Sequence, residues 1–348
     1  MAADEVRSQG KLTTGLALRW DDFVGSQPRA SLYHHSRWVA FAADVFGFEA
    51  AWLAHESAAG QIAGVLPMIR QRSRLFGDRW VSLPFFNYGG PVAVDTEATA
   101  ALITLAADYA RQSGVRQLEI RGAEQFAGFA CRSDKATLIL ELPSTIAALA
   151  EQLGAKLRSQ IRRSDRETPE VVIGGANLVG EFYLVFAATM RDVGTPVLAR
   201  YFFERMFERV GEDCRIVIVR LAGHTAAAAL LTQHGDTVEI PWAGNLRRFR
   251  PAAANMRLYW ECLKYAVETG HRRFDFGRST VDSGTYHFKE QWGARPVALH
   301  WLYPLQSAGS VIATQERPVL KLARVVWGKL PVSAATRLAA SFSAGLPW

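Results

Sequence analysis

The chain has 348 residues, 49% of them hydrophobic, and a formal net charge of +7. That length exceeds one hydrophobic core and predicts two domains, and the composition excludes a disordered or fibrous chain. No apolar run approaches the roughly 20 residues of a bilayer span, and the polar opening MAADEVRSQG has no apolar core behind it, so a cytoplasmic protein without anchor or secretory signal is expected. Cys131, Cys214 and Cys262 lie far apart with no paired spacing, which predicts reduced, buried thiols rather than a disulfide framework or a zinc site. The positive charge favours an anionic partner.

In chain order, His34 and His35 precede an amphipathic helix from Trp38 to Phe46 and read as capping or packing residues. Strands are expected over 62–70 and 80–86, then the tight turn Asn87, Tyr88, Gly89, Gly90, Pro91, a helix over 98–111 and a strand over 115–120. Past Pro143, Leu153, Leu157 and Ile161 form a helical apolar stripe. Arg158, Arg162 and Arg166 recur every four residues beside it, with Lys156 and Arg163, as one basic ridge that is either solvated or faces a substrate. Strands follow over 215–220, 226–233 and 238–242, then a helix over 255–268 stopped at Gly270, and a strand over 272–276. The region 316–330 interleaves Arg317, Lys321, Arg324 and Lys329 with Val319, Leu322, Val325, Val326 and Trp327. Such a helix either packs on its own domain or lies on an anionic membrane surface.

The second half repeats the order of the first. An offset of 156 residues superimposes Tyr109 on Tyr265, Gly114 on Gly270, Glu119 on Asp275 and Ile120 on Phe276, which points to duplication of a strand–strand–helix–strand unit. The richest segment, Phe274 to Pro296, reads FDFGRSTVDSGTYHFKEQWGARP. Here Asp275 leaves a strand tip, and Gly277 and Gly284 are expected to turn a loop so that Arg278, Ser279, Thr280, Asp282, Tyr286 and Lys289 converge on one cleft. A solvated loop, with Asp275 paired to Arg273 or Arg278, is the plainer alternative. Trp242, Tyr286, Phe288 and Trp292 suit a core or a cleft lining. No Ser–His–acid set or metal-ligand spacing stands out among the 8 histidines.

The strings F-D-F-G-R-S-T, S-G-T-Y and F-K-E-Q-W-G-A, with LPFFNYGGP (83–91), MRDVGTP (190–196), EIPWA (239–243) and NMRLYW (255–260) in the same order, resemble the FemAB-type acyltransferase family, in its exosortase (PEP-CTERM) associated branch. The likeness spans roughly residues 30–305. It implies an α/β fold made by tandem duplication of a GNAT-like unit, two mixed-sheet domains over 1–143 and 144–310, with an amphipathic C-terminal tail over 311–348. It also implies an active-site lysine at Lys289 and moves the basic ridge towards a phosphate-rich substrate.

On that basis the catalytic candidates are Lys289 as oxyanion donor, Asp275 to orient or deprotonate the amine, and Arg278 as a bidentate anion fork. Candidate substrate contacts are Asn87, Tyr88, Arg158, Arg162, Arg191, Asp192, Trp242, Ser279, Tyr286 and Phe288. The coenzyme A cradle [RQ]-x-x-G-x-[GA] fits Gln125 to Ala130, which follow the strand after the helix rather than the one before it, so the match is read as accidental. The expected reaction is direct acyl or aminoacyl transfer to an amine of a cell-envelope or exopolysaccharide precursor. The co-substrate is aminoacyl-tRNA or acyl-coenzyme A, with no tightly bound cofactor and no metal. A coenzyme A dependent acetyltransferase of an exopolysaccharide sugar and a non-catalytic scaffold of exopolysaccharide assembly are the alternatives.

Overall fold

A computed structural model describes residues 5–9, 13–73, 77–122, 125–305 and 318–346. In chain order it contains β1 (Glu5–Gln9), α1 (Thr14–Ser26), α2 (Ser36–Asp44), β2 (Glu49–Glu56), β3 (Ile62–Ser73), β4 (Gly77–Val81), β5 (Val92–Ala93), α3 (Thr96–Gln112), β6 (Gln117–Arg121) and β7 (Phe129–Glu141). There follow α4 (Ile146–Gln152), α5 (Ala155–Asp165), β8 (Glu170–Gly174), α6 (Val179–Asp192), α7 (Arg200–Val210), β9 (Cys214–Leu221), β10 (His224–His234) and β11 (Thr237–Asn245). The chain ends with α8 (Ala254–Glu268), β12 (Arg273–Thr280), α9 (Gly284–Glu290), β13 (Arg295–Pro304), α10 (Pro318–Trp327) and α11 (Val332–Ala340).

Two compact units emerge. One holds the described residues up to Ser133, the stretch from Leu299 and the tail from Ala344; the other holds Asp134–Ala298 and Pro318–Ser343. The expected boundary near Pro143 differs from this division because β7 is hydrogen-bonded to β12 from Lys135 to Glu141, which binds that half of the strand to the second unit. Pro318–Ser343, expected as a separate tail, clusters with the second unit as well.

In the first unit the strands run β1-β2-β3-β4-β6-β13, with β5 on β3. All pairs given are antiparallel except β4 with β6, where Arg79, Trp80 and Val81 lie opposite Gln117, Leu118 and Glu119. Leu102, Ile103, Ala106 and Ala110 of α3 bury one face of this sheet with Leu53, Leu66, Leu118 and Ile120. In the second unit the order is β7-β12-β11-β10-β9-β8, and again one pair is parallel: Thr237, Val238 and Glu239 of β11 opposite Arg273, Phe274 and Asp275 of β12. Leu258, Cys262, Leu263 and Ala266 of α8 cover Leu138, Leu140, Phe274 and Phe276. The duplicated positions thus occupy matching registers, Leu118 and Glu119 in one copy, Phe274 and Asp275 in the other.

Both covering helices stop in the same way. Gly114 and Gly270 take φ of 72° and 79°, and the next N–H reaches back to Ala110 O (3.0 Å) and Ala266 O (2.9 Å), so a left-handed glycine satisfies the last carbonyls of each helix. The strand expected over 80–86 ends at Val81, because Leu83 and Phe85 take φ of 50° and 79°, which a strand cannot continue through. The expected loop after Phe276 is also corrected: β12 runs on to Thr280, and the Ser283 hydroxyl caps α9 by accepting the Tyr286 N–H at 3.3 Å. Gly284 is the first residue of that helix rather than a turn, so Lys289 stands on a helix. Cys214 and Cys262 are buried as expected, Cys131 only half-buried.

Of the basic C-terminal segment, Glu316 and Arg317 lie outside the described residues, as does the Lys321 side chain. The helix α10 abuts the turn after α6: a Cβ at Gly194 would come within 2.5 Å of Arg324 O, and Arg191 donates to Leu330 O at 2.7 Å. It packs on its own unit while leaving Val325 and Val326 exposed.

Candidate active site

The parallel pairing of β11 and β12 stops at Glu239 opposite Asp275. Beyond it β11 stays with β10 as far as Asn245, and β12 stays with β7 as far as Thr280. The two strands therefore part at their C-terminal ends, the place where an α/β sheet opens a crevice for a ligand. The register of β12 on β7 slips between Asp275 and Arg278, and Gly277 sits in the slip with φ of 71°. The bulge turns two carbonyls onto one side chain: the Lys289 Nζ donates to Gly277 O at 2.8 Å and to Arg278 O at 3.1 Å.

Lys289 is 7% exposed. Burial pushes its ammonium down to about 8, with Asp275 and Glu239 opposing the shift and Arg278 adding to it. An ammonium carries three N–H donors, of which two are spent on the bulge. The third has no partner among the described residues. Asp275, 3% exposed, accepts from the Thr137 hydroxyl and from the Gly277 N–H at 2.8 Å. Of the two arginines named as plainer partners for Asp275, Arg273 binds Asp236 instead, at 2.6 Å. Glu239, 7% exposed and facing Asp275 in register, puts a second buried carboxylate at the fork. The sequence reading missed Glu239 as a site residue; a carboxylate inside the apolar run V-E-I of a central strand was the available signal.

Aromatic side chains line one side. Tyr259 lies 5.7 Å from Phe276 and 4.9 Å from Phe288, and Trp292 lies 6.4 Å from Phe276. Tyr286 is buried in the same cluster. Ser279 faces Ala136 of that cluster in register. Both the Ser279 hydroxyl and the Trp292 indole N–H are buried without a hydrogen-bond partner, which is unusual in a folded core.

The other expected site residues lie on several elements. Arg191 and Asp192, at the end of α6, form an ion pair at 2.8 Å, and Asp192 takes a second guanidinium from Arg247 at 2.8 Å. With Leu246, Arg248 and Gly328 they line an open cleft of about 340 Å³. Trp242 packs edge-on against Phe202 (5.8 Å) and Phe203 (5.4 Å) of α7. Arg158 leaves the expected ridge: its guanidinium turns back to the carbonyls of Leu153, Ala150 and Glu151 and closes the end of α4. Arg162 is exposed on α5. Asn87 and Tyr88 are half-buried in the first unit, in a turn whose Gly90 packs on the backbone of Arg121.

The matching fork of the first unit is filled. Arg121 donates to Glu119 at 2.7 Å and to Phe86 O at 3.0 Å, and Tyr303 donates to the other Glu119 oxygen at 3.1 Å. Burial pushes the Glu119 carboxyl up, but Arg121, Arg79 and Tyr303 outweigh it and hold the group below the usual carboxylate range. Among the described residues no cluster of His, Cys, Asp or Glu side chains is placed to hold a metal ion, and no helix is long and apolar enough to cross a membrane.

Residues 155–290, which carry this fork, match the acetyltransferase (GNAT) domain Acetyltransf_6. The whole architecture is that of tandem GNAT proteins. A crystal structure of FemX superimposes with a TM-score of 0.65 at 16% identity, covering 84% of this chain and 96% of that one. The C-terminal DUF2156 domain of a putative lysylphosphatidylglycerol synthetase from Agrobacterium fabrum gives 0.56 at 15% identity over 95% and 98% of the two chains. A tandem GNAT protein from the clavulanic acid biosynthesis pathway gives 0.52 at 13% identity over 86% and 98%. No curated protein matches the sequence. The chain is thus a mixed α/β protein with a tandem GNAT fold and a GNAT acetyltransferase domain in its second half.

Proposed function

We propose that this protein is an acyl- or aminoacyltransferase that acts on an amine of a cell-envelope or exopolysaccharide precursor. One observation carries the reading: a buried lysine, fixed by two carbonyls of a bulged strand, holds its third N–H free at the fork of the parallel pair, next to two buried carboxylates. In the reaction the acceptor nitrogen attacks the carbonyl carbon of an ester or thioester. The C–N bond forms, the carbonyl pair moves onto oxygen, and the alcohol or thiol departs with a proton as the carbonyl re-forms. Lys289 donates to the developing oxyanion, Asp275 orients the amine or takes its proton, and Arg278 holds an anionic part of the substrate. Ser279, Tyr286 and Phe288 line the substrate path on this reading, and Arg191, Asp192 and Arg162 contact its charged groups.

On this reading the acceptor is an exopolysaccharide or envelope precursor and the protein is cytoplasmic, in peripheral contact with the inner membrane; the resemblance of its motifs to the exosortase-associated branch supports this. The exposed Val325 and Val326 beside Arg324 suit that contact. For the donor, aminoacyl-tRNA is preferred because no coenzyme A cradle follows β11. The acetyltransferase (GNAT) match over 155–290 favours the second reading, transfer from acyl-coenzyme A to a polysaccharide sugar. Calorimetric titration with acetyl-coenzyme A and with aminoacyl-tRNA, each with and without a disaccharide–peptide acceptor, separates them. Acetyl-coenzyme A binding no tighter than about millimolar is expected, roughly −4 kcal/mol. Micromolar binding without tRNA affinity would promote the second reading, and binding of neither would return the chain to a scaffold role.

A further inference from the structure

Helix α10 leaves an apolar and basic surface uncovered by its own unit. Ala323, Arg324, Val325 and Val326 are all exposed, and four consecutive residues go right round a helix of about 3.6 residues per turn. That turn therefore buries no stripe in the unit beneath it, although such a stripe is what holds an amphipathic helix to its domain. The fixings of α10 are its backbone and its C-terminal end. A Cβ at Gly194 would meet Arg324 O at 2.5 Å, Trp327 meets the Phe342 ring edge-on at 5.8 Å, and Arg191 donates to Leu330 O at 2.7 Å. Val193, next to the Gly194 contact, is more than half exposed, as are Val325 and Val326.

The charge around these valines is of one sign. From Pro318 to Trp348 the sequence carries Lys321, Arg324, Lys329 and Arg337 and no Asp or Glu. Arg324, Lys329 and Arg337 are exposed. Asp192, the carboxylate next to Val193, is already paired with Arg247 at 2.8 Å. A second copy of a chain with net charge +7 would bring like charges together over this patch. A phosphate-rich polymer would match the cations but leave the valines in water. The surface of an anionic bilayer matches both, because aliphatic side chains enter the boundary with the acyl chains while basic ones stay among the charged headgroups.

We propose that α10, with Val193 of the turn it abuts, docks this protein on an anionic lipid bilayer through Val325 and Val326 and the basic residues beside them. The choice of a bilayer rests on the transferase reading, which puts the acceptor at the envelope, but the test needs no turnover. The full chain is sedimented with vesicles of phosphatidylcholine alone and of an equimolar mixture with phosphatidylglycerol, at low and at raised salt. Binding to the mixed vesicles only, weakened by salt, is expected. Val325→Asp and Val326→Asp should each weaken it about tenfold or more, and Arg324→Gln and Lys329→Gln about fivefold each. Leu18→Asp, at an exposed apolar position on α1, should bind as the wild type does. No binding to the mixed vesicles, equal binding to phosphatidylcholine alone, undiminished binding by the valine variants, or an equal loss in Leu18→Asp would overturn the proposal. So would a vesicle-free dimer, seen by sedimentation equilibrium, that Val326→Asp makes monomeric, since the patch would then belong to a second copy. Lys289→Ala is sedimented alongside. Vesicle binding retained without transfer separates the surface from the transferase reading, and a protein that transfers acyl groups yet ignores vesicles loses the surface alone.

Discussion

Replacing Lys289 by methionine isolates the cost of burying a charge at the fork. In the folded chain the ammonium titrates near 8 rather than at its ordinary 10.5, mainly because it is buried. A folded pKa below the unfolded one means that the charged form is disfavoured in the native state. The penalty is present in full below pH 8 and disappears as pH rises through the window from about 8 to 10.5, where the unfolded chain still holds the proton. The shift corresponds to about 3 kcal/mol, of which about 2–3 kcal/mol is recovered between pH 7 and pH 10. Methionine removes the penalty but leaves Gly277 O and Arg278 O without a donor, at about 1–3 kcal/mol each. The opposing terms keep the variant folded at pH 7, with a stability within about 3 kcal/mol of wild type. Urea unfolding of both proteins at pH 7, 8, 9 and 10 should show the wild type gaining about 2–3 kcal/mol on the variant. A difference constant to within about 0.5 kcal/mol over that range would refute the burial argument.

Lys289→Ala should lower transfer by about 10²–10³-fold while the circular dichroism spectrum stays native, as expected for loss of an oxyanion donor; wild-type transfer should also fall above about pH 8, because a neutral amine keeps two N–H groups and both are committed to the bulge. Arg121→Ala leaves Glu119 charged and buried, and should cost about 3–5 kcal/mol in chemical unfolding of the first unit. Arg158→Ala should cost about 0.5–1.5 kcal/mol through the carbonyls it closes at the end of α4, whereas Arg162→Ala should leave stability unchanged and, if it meets a phosphorylated acceptor, weaken that binding in a salt-dependent way; equal thermal shifts for the two would count against the geometry of α5.

The elements most legible in the sequence were those whose signals are local. The helix stops at Gly114 and Gly270, the apolar stripes of α3 and α8, and the apolar runs of β10, β11 and β12 all declare themselves within a window of a dozen residues. Glu49–Glu56 did not, because EAAWLAHE has helical composition and becomes a strand only by pairing with β3 and β1. Arg158 looked like part of a ridge because spacing reports the direction of a side chain from its helix and not the carbonyls of the preceding helix that it meets. The bulge was hidden for a similar reason. Gly277 marked a departure from regular backbone, but that the strand resumes beyond it depends on Thr280 and Ser279 finding Lys135 and Ala136 of β7, 140 or so residues away.

The 156-residue offset also bears on which copy is suited to chemistry. Glu119, Ile120, Arg121 and Gly122 of the first copy align with Asp275, Phe276, Gly277 and Arg278 of the second, so the order arginine–glycine in one becomes glycine–arginine in the other. In the first copy the arginine comes first, and its guanidinium fills the fork by bonding Glu119 and Phe86 O. The left-handed glycine then follows at Gly122, with φ of 72°. In the second copy the left-handed glycine comes one residue earlier, at Gly277, so no side chain enters the fork from that position and the bulge carbonyls are free to take Lys289. Arg121 is held on Glu119 and Phe86 O inside that fork, while the Lys289 ammonium, with two of three donors committed, keeps one. On the proposed reading, one transposed dipeptide separates a fork closed by its own arginine from a fork whose lysine faces the acyl carbonyl, and this is the physical reason to seek turnover in the second copy.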